Sequence, residues 1–200
     1  MKRRGADRLE EDRARAPARG RGTRREASPP RVEAIASRIL WSQLGAAIDM
    51  LDNAVRACPD EVWGDGPTPH AFWYLVYHTL FWLDLYLSGT PAGFAPPSPF
   101  SLDELDPAGV YPERVYTKAE MRAYLEHGRR KCRAAIAAMS AERAAEPSGF
   151  ERLGLSQGEL LLYSMRHVQH HAAQLNLILR QRTNSAPRWV GKTAHALDGD

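Results

Sequence analysis

The stretch RHVQHHAAQLNLILR, Arg166 to Arg180, crowds three of the chain's seven histidines into five positions. On a helix, His167 and His171 are four residues apart, so their side chains project from one face about one turn apart. Two imidazoles so placed can share a divalent metal ion, with the rest of the coordination supplied from elsewhere. Gln174 continues the same stripe, and His170 stands a step round the cylinder. Val168, Ala172, Leu175, Ile178 and Leu179 mark this as a core helix. A buried polar ring without a partner costs about 1–3 kcal/mol, so inward histidines here need shared satisfaction.

A third ligand must come from another helix. His78, set among Tyr74, Leu75, Phe81, Trp82 and Leu85, is the best candidate. Taken alone it reads as a packed core histidine; two further inward histidines on a facing helix make it a ligand candidate. Two such helices can supply His78, His167 and His171 together. His70 falls at a helix mouth in solvent, and His127 sits with Glu126, Arg129 and Arg130 on a charged surface. His195 belongs to a loose tail, and His170 is read as structural rather than as a proton carrier beside the metal. No carboxylate has a spacing that marks it as a general base, although Asp49, Asp52 and Asp84 lie on core-bearing helices and can approach. An all-nitrogen donor set accepts zinc, nickel, copper or ferrous iron, zinc and nickel being the first candidates. Because imidazole binds only when neutral, metal affinity is expected to weaken below pH ~6.5.

Four helices must position these residues. Apolar residues recur at helical spacing from Val32 through Ile35, Ile39, Leu40, Ala47, Leu51, Ala54 and Val55 to Cys58, where Pro59 ends the run. A second helix opens at Thr68-Pro69 and runs to about Ser88-Gly89. Thr117-Lys118-Ala119-Glu120 forms a capping box for a third, which ends near Met139. Ser156-Gln157-Gly158-Glu159 does the same for a fourth, which ends near Arg182. No alternating stretch competes, so the fold class is all-α, a four-helix bundle. The Pro- and Gly-rich connection from Gly89 to Tyr116 is too long for a tight turn. Read as a plain crossover, it leaves helices two and three parallel.

The domain organisation follows: an Arg-rich tail over 1–30, the bundle over 31–185, and a C-terminal tail over 186–200 with Trp189 as its anchor. Residues 1–30 carry a net charge of +5 and the remainder −2, so the basic balance of the chain belongs to the tail. That tail lacks large apolar side chains beyond Leu9 and is expected to be disordered and solvated. Without interleaved aromatics it is a weak nucleic-acid arm. No run approaches the ~18 apolar residues of a spanning helix, and no secretory signal is visible. Cys58 and Cys132 have no paired spacing and suit a reducing compartment. A cytoplasmic protein without membrane contact is expected.

A histidine midway along the second helix, with HxxxHxxQ on the fourth, resembles the DinB-like (damage-inducible, YfiT-like) family of metalloenzymes. The match reads HVQHHAAQLNLILRQ, His167 to Gln181, with His78 as the distant partner, and it covers about residues 32–185. Where the commoner family pattern has Arg-Gly before the glutamine, this chain has Ala172-Ala173, a departure that leaves the ligand positions intact. The resemblance implies an up-down-down-up bundle, and a divalent metal held by His78, His167 and His171 with water completing the shell. It permits a metal-dependent enzyme acting on a small molecule, with a low-molecular-weight thiol as cosubstrate. Phe72, Trp73, Tyr74, Tyr77 and Trp82 are read mainly as bundle core, with a pocket lining as the alternative. Two other readings stand beside this one: a metal-binding or stress-associated protein without turnover, and a nucleic-acid-associated protein acting through residues 1–30. Exposed apolar helix faces make a homodimer plausible.

Overall fold

The computed structural model describes residues 32–64 and 71–197. Six α-helices order these residues: α1 Val32–Ala57, α2 Asp60–Trp63, α3 Phe72–Leu87, α4 Lys118–Ala137, α5 Ala141–Ala145 and α6 Gln157–Thr183. Two 3₁₀ turns, Asp103–Leu105 and Glu151–Leu153, complete the regular structure. No strand occurs among the described residues, only an isolated bridge between Pro147 and Ser156. The chain is all-α. The expected tail over 1–30, the expected helix start at Thr68-Pro69 and His70 lie outside the described residues.

Both expected capping boxes form. The Glu120 amide donates to Thr117 Oγ1 at 3.2 Å while the Thr117 amide donates to the Glu120 carboxylate at 2.7 Å. Ser156 and Glu159 repeat the pattern at 3.3 and 2.8 Å. Each box satisfies two amide donors that the first helical turn leaves without partners. At the far end of α6, Asn184 adopts a left-handed conformation (φ 55°), and its amide donates to the Arg180 carbonyl. The short helices α2 and α5 are additions to the four expected ones. Pro59 presets the entry to α2, and the Ser140 hydroxyl accepts from the Arg143 amide to start α5.

The long helices meet in four pairs: α1 with α6, α3 with α6, α1 with α4, and α3 with α4. Leu44, Ile48 and Leu51 of α1, Trp73, Tyr77 and Phe81 of α3, Met121 and Leu125 of α4, and Val168, Ala172 and Leu175 of α6 fill the space between them. Apolar residues lie on nearly every side of α3, which suits a helix buried all round. At the other extreme, the first turns of α1 expose Ile35 and Ile39, although the periodicity assigned them to the buried stripe. The α3–α4 seam is polar in part: buried Asp84 accepts from Tyr124 Oη at 3.1 Å and from Lys131 Nζ at 2.5 Å. No helix among the described residues is long and apolar enough to cross a membrane.

The C-terminal segment is tied to α1. The Thr193 amide donates to the Ser42 carbonyl (3.0 Å), Trp41 Nε1 to the His195 carbonyl (2.7 Å), and Gln43 Nε2 to the Gly191 carbonyl (3.1 Å). Gly45 lets it come this close, since a Cβ there would stand 2.7 Å from Thr193 Cγ2. This corrects the reading of His195 as part of a loose tail. Trp189 does not act as the anchor: it is 71% exposed, and the hydrogen bonds of the segment's backbone to Ser42, Trp41 and Gln43 hold it instead.

Candidate metal centre

α3 and α6 bring three histidines face to face. Ring centroids lie 4.9 Å apart for His78 and His171, 5.3 Å for His78 and His167, and 4.6 Å for His167 and His171. One ring nitrogen from each falls within 4.8 Å of the other two. His170 sits outside this group, stacked edge-on against His171 at 5.0 Å.

Hydrogen bonds on two of the rings assign their nitrogens. His78 Nδ1 is 2.8 Å from Glu104 Oε2. Burial pushes the Glu104 carboxyl up, but its contacts with His78, Tyr74 and Trp82 outweigh burial and hold it below the ordinary carboxylate range. An ionised carboxylate only accepts, so His78 Nδ1 donates, and in the neutral ring that leaves Nε2 with its lone pair. His171 Nδ1 lies 2.6 Å from Gln174 Oε1, an amide acceptor, which leaves Nε2 of that ring with its lone pair free as well. His167 Nε2 is buried and has no hydrogen-bond partner among the described residues.

That last atom tests whether these residues suit a metal. A buried ring nitrogen without a partner costs about 1–3 kcal/mol, and a cluster of imidazoles would repel if protonated. Burial, reinforced by the neighbouring histidines, pushes His167 down to about 3 and His171 down to about 4. Both are therefore neutral at physiological pH, the form that binds a metal. Three imidazoles, two oriented through Nδ1 and one with an unsatisfied Nε2, form a donor set that fits a zinc-type ion.

At His167 and His171 the depressed values place proton competition lower than the ~6.5 of an ordinary imidazole. In metal-free protein the same shifts act on stability. Between pH 6.5 and about 4 the unfolded chain binds protons that the folded protein refuses, so stability is full above 6.5 and falls as pH drops through that window. Denaturant titrations of metal-free protein are expected to lose on the order of 3 kcal/mol between pH 7 and pH 4 through His167, and a smaller amount through His171, whose ring is partly exposed and screened by solvent.

Other candidates are placed elsewhere. Asp49 pairs with Arg129, Asp52 with Arg56 at 2.8 Å, and Asp84 with Lys131, and none of the three aspartates joins His78, His167 and His171. His127 is half-buried with Nε2 3.2 Å from Asp84 Oδ1, and Arg129 is fully buried, which corrects their assignment to a charged surface. Phe72, Trp73 and Tyr77 are core, as expected, while Tyr74 and Trp82 flank His78. Glu104 is the carboxylate that the sequence reading missed. It comes from the 3₁₀ turn of the long connection, and Trp82 Nε1 also donates to it at 2.7 Å. The only hint in the sequence is an acidic LDELD in an otherwise Pro- and Gly-rich stretch, so the connection is more than a plain crossover.

A family model described as the DinB superfamily matches residues 43–175, a span that includes all three histidines and Glu104. No curated protein and no solved structure matches the chain.

Proposed function

Since this chain belongs to the DinB superfamily, we propose that it binds one divalent metal ion through His78, His167 and His171 and acts with it on a small molecule. The observation that carries this reading is the buried, unpartnered Nε2 of His167 beside two rings whose Nδ1 atoms are already engaged. Zinc or nickel suits three imidazoles, and three protein ligands leave a coordination position for water or substrate. A metal so held supplies a Lewis acid, which activates water or a thiolate. The chain's own part is to hold the rings: Glu104 fixes His78, Gln174 fixes His171, and the walls of α3 and α6 limit access from solvent.

The proposal includes the up-down-down-up order of a four-helix bundle. Leu40 and Leu161 line one cavity while Gln169 reaches Met50, which supports α1 and α6 running the same way. Tyr77 beside Tyr116 and Asp84 beside Lys131 support the same for α3 and α4. Substrate and thiol cosubstrate are small molecules in this reading, and residues 1–30 have no part in it.

The test begins with elemental analysis of tag-free protein, which should hold one equivalent of metal. Cobalt substitution then asks whether a coordination position exchanges. Azide or a small thiol is expected to shift the visible spectrum. A spectrum indifferent to both would leave a metal-binding protein without an open position, and the enzyme reading would fall.

A further inference from the structure

A second feature borders the histidine cluster. α6, α1 and the C-terminal segment enclose a groove of about 700 Å³, within the range of small-molecule sites. His167 lines it, whereas His78 and His171 do not, so the groove approaches the cluster from the α1 side. Its remaining functional side chains are Arg166, His170, Tyr163, Gln43 and Trp189.

The charge in this groove is one-sided. Among its described lining residues there is no carboxylate, and Arg166 makes no ion pair or hydrogen bond with a described residue. An unengaged guanidinium offers a planar fork that matches a carboxylate, and imidazole and amide groups stand beside it. The lining also includes Trp189, a residue 71% exposed although its segment is bonded to α1 at Gly191, Thr193 and His195. An exposed aromatic ring and an unpaired cation lining one groove complement a flat, anionic molecule.

We infer that this groove binds a small organic anion, its carboxylate on Arg166 and its flat apolar body against Trp189, and delivers the ligand's other end to the metal at His167. The anion site stands on the groove alone; delivery to the metal rests on the proposed function above.

The experiment uses full-length, metal-free protein with 4-nitrobenzoate as probe and uncharged 4-nitrobenzamide as its match in shape, followed by calorimetry at low salt. The anion is expected to bind at least about tenfold tighter than the amide, the preference expected of a charge-assisted hydrogen bond. Arg166→Ala should remove that preference, Arg166→Lys should retain part of it, and Trp189→Ala should weaken both probes several-fold. Arg166 and Trp189 are exposed, so the variants should fold, which circular dichroism checks. Equal binding of the two probes, no binding of either, or an anion preference unchanged in Arg166→Ala would overturn the inference. Zinc then separates the two halves. If zinc tightens binding of the anion and His78→Ala abolishes the gain, the groove and the metal are joined. If the anion responds to Arg166 but zinc adds nothing, the groove stands and its junction with the metal is overturned. If no zinc is taken up at all, the metal reading fails independently of the groove.

Discussion

Replacing His167 by leucine is expected to abolish metal binding and at the same time to stabilise the metal-free protein. His167 Nε2 is buried without a hydrogen-bond partner, so the ring bears a desolvation cost that only a ligand can offset. Leucine fills a similar volume and has no polar atom to leave unsatisfied. The gain at pH 7 is expected to be about 1–2 kcal/mol in denaturant titrations. It should widen toward pH 4, because wild type loses stability there as its unfolded chain takes up protons, and leucine removes the ring with the lowest value. Elemental analysis should show the equivalent of metal gone, as it should in His78→Ala. A histidine that merely packs in the core predicts the reverse: a less stable variant, with no metal in the parent to lose. A stabilised variant without metal would mark His167 as a residue kept for binding at the expense of the fold.

Such a residue was visible in the sequence because the signals around it are local. Capping boxes span four positions and depend on one turn of helix, so Thr117–Glu120 and Ser156–Glu159 could be read directly. The spacing of His167, His171 and Gln174 is likewise set by one helix, and His78 stood out as a polar residue in an apolar run. Features assembled across the chain were not legible. Arg129 looked like one of several surface charges because its partner, Asp49, lies 80 positions away. Ile35 and Ile39 fit the helical stripe of α1, but no described residue covers them and they stand exposed. The C-terminal segment is held through its own backbone groups, which carry no sequence signature; their partners on α1, the Ser42 carbonyl and the Trp41 and Gln43 side chains, and the room left by Gly45 become evident only once Thr193 is seen against α1.

The histidine cluster and the groove share one construction rule. Each is formed by two helices, α3 and α6 at the cluster and α1 and α6 at the groove, with a less regular segment beside them: the long connection with Glu104 at the cluster, the C-terminal segment with Trp189 at the groove. The helices fix the position of the chemical groups, and the irregular segments set orientation and access. Binding sites are commonly divided this way between rigid scaffold and connecting chain. It follows that changes in the two connections should affect ligand behaviour more than the assembly of the helices.

Glu104 offers the sharper test of that division. Its Oε2 accepts from His78 Nδ1 at 2.8 Å and from Trp82 Nε1 at 2.7 Å, tying the connection to α3 at the histidine cluster. An ionised carboxylate behind a ligating imidazole fixes its tautomer and raises its basicity, and loss of such a partner typically weakens metal binding 10–100-fold. Glu104→Ala is expected toward the upper end of that range and Glu104→Gln near the lower, since the amide oxygen still accepts one bond but carries no charge. Zinc affinity measured by competition with a chromophoric chelator reads both. Trp82→Phe is the control: it removes the second donor to Glu104 and leaves the bond to His78, so its affinity should stay within about threefold of wild type. Glu104→Ala should also lose about 1–3 kcal/mol of stability in the metal-free state, because the His78 and Trp82 donors are left without their acceptor. If only stability fell and zinc bound as tightly as in wild type, Glu104 would be a fastening for the connection and the orientation of His78 would have another source. A loss of affinity in Glu104→Gln larger than its loss of stability would place the carboxylate in the metal centre, 26 residues along the chain from the histidine it holds.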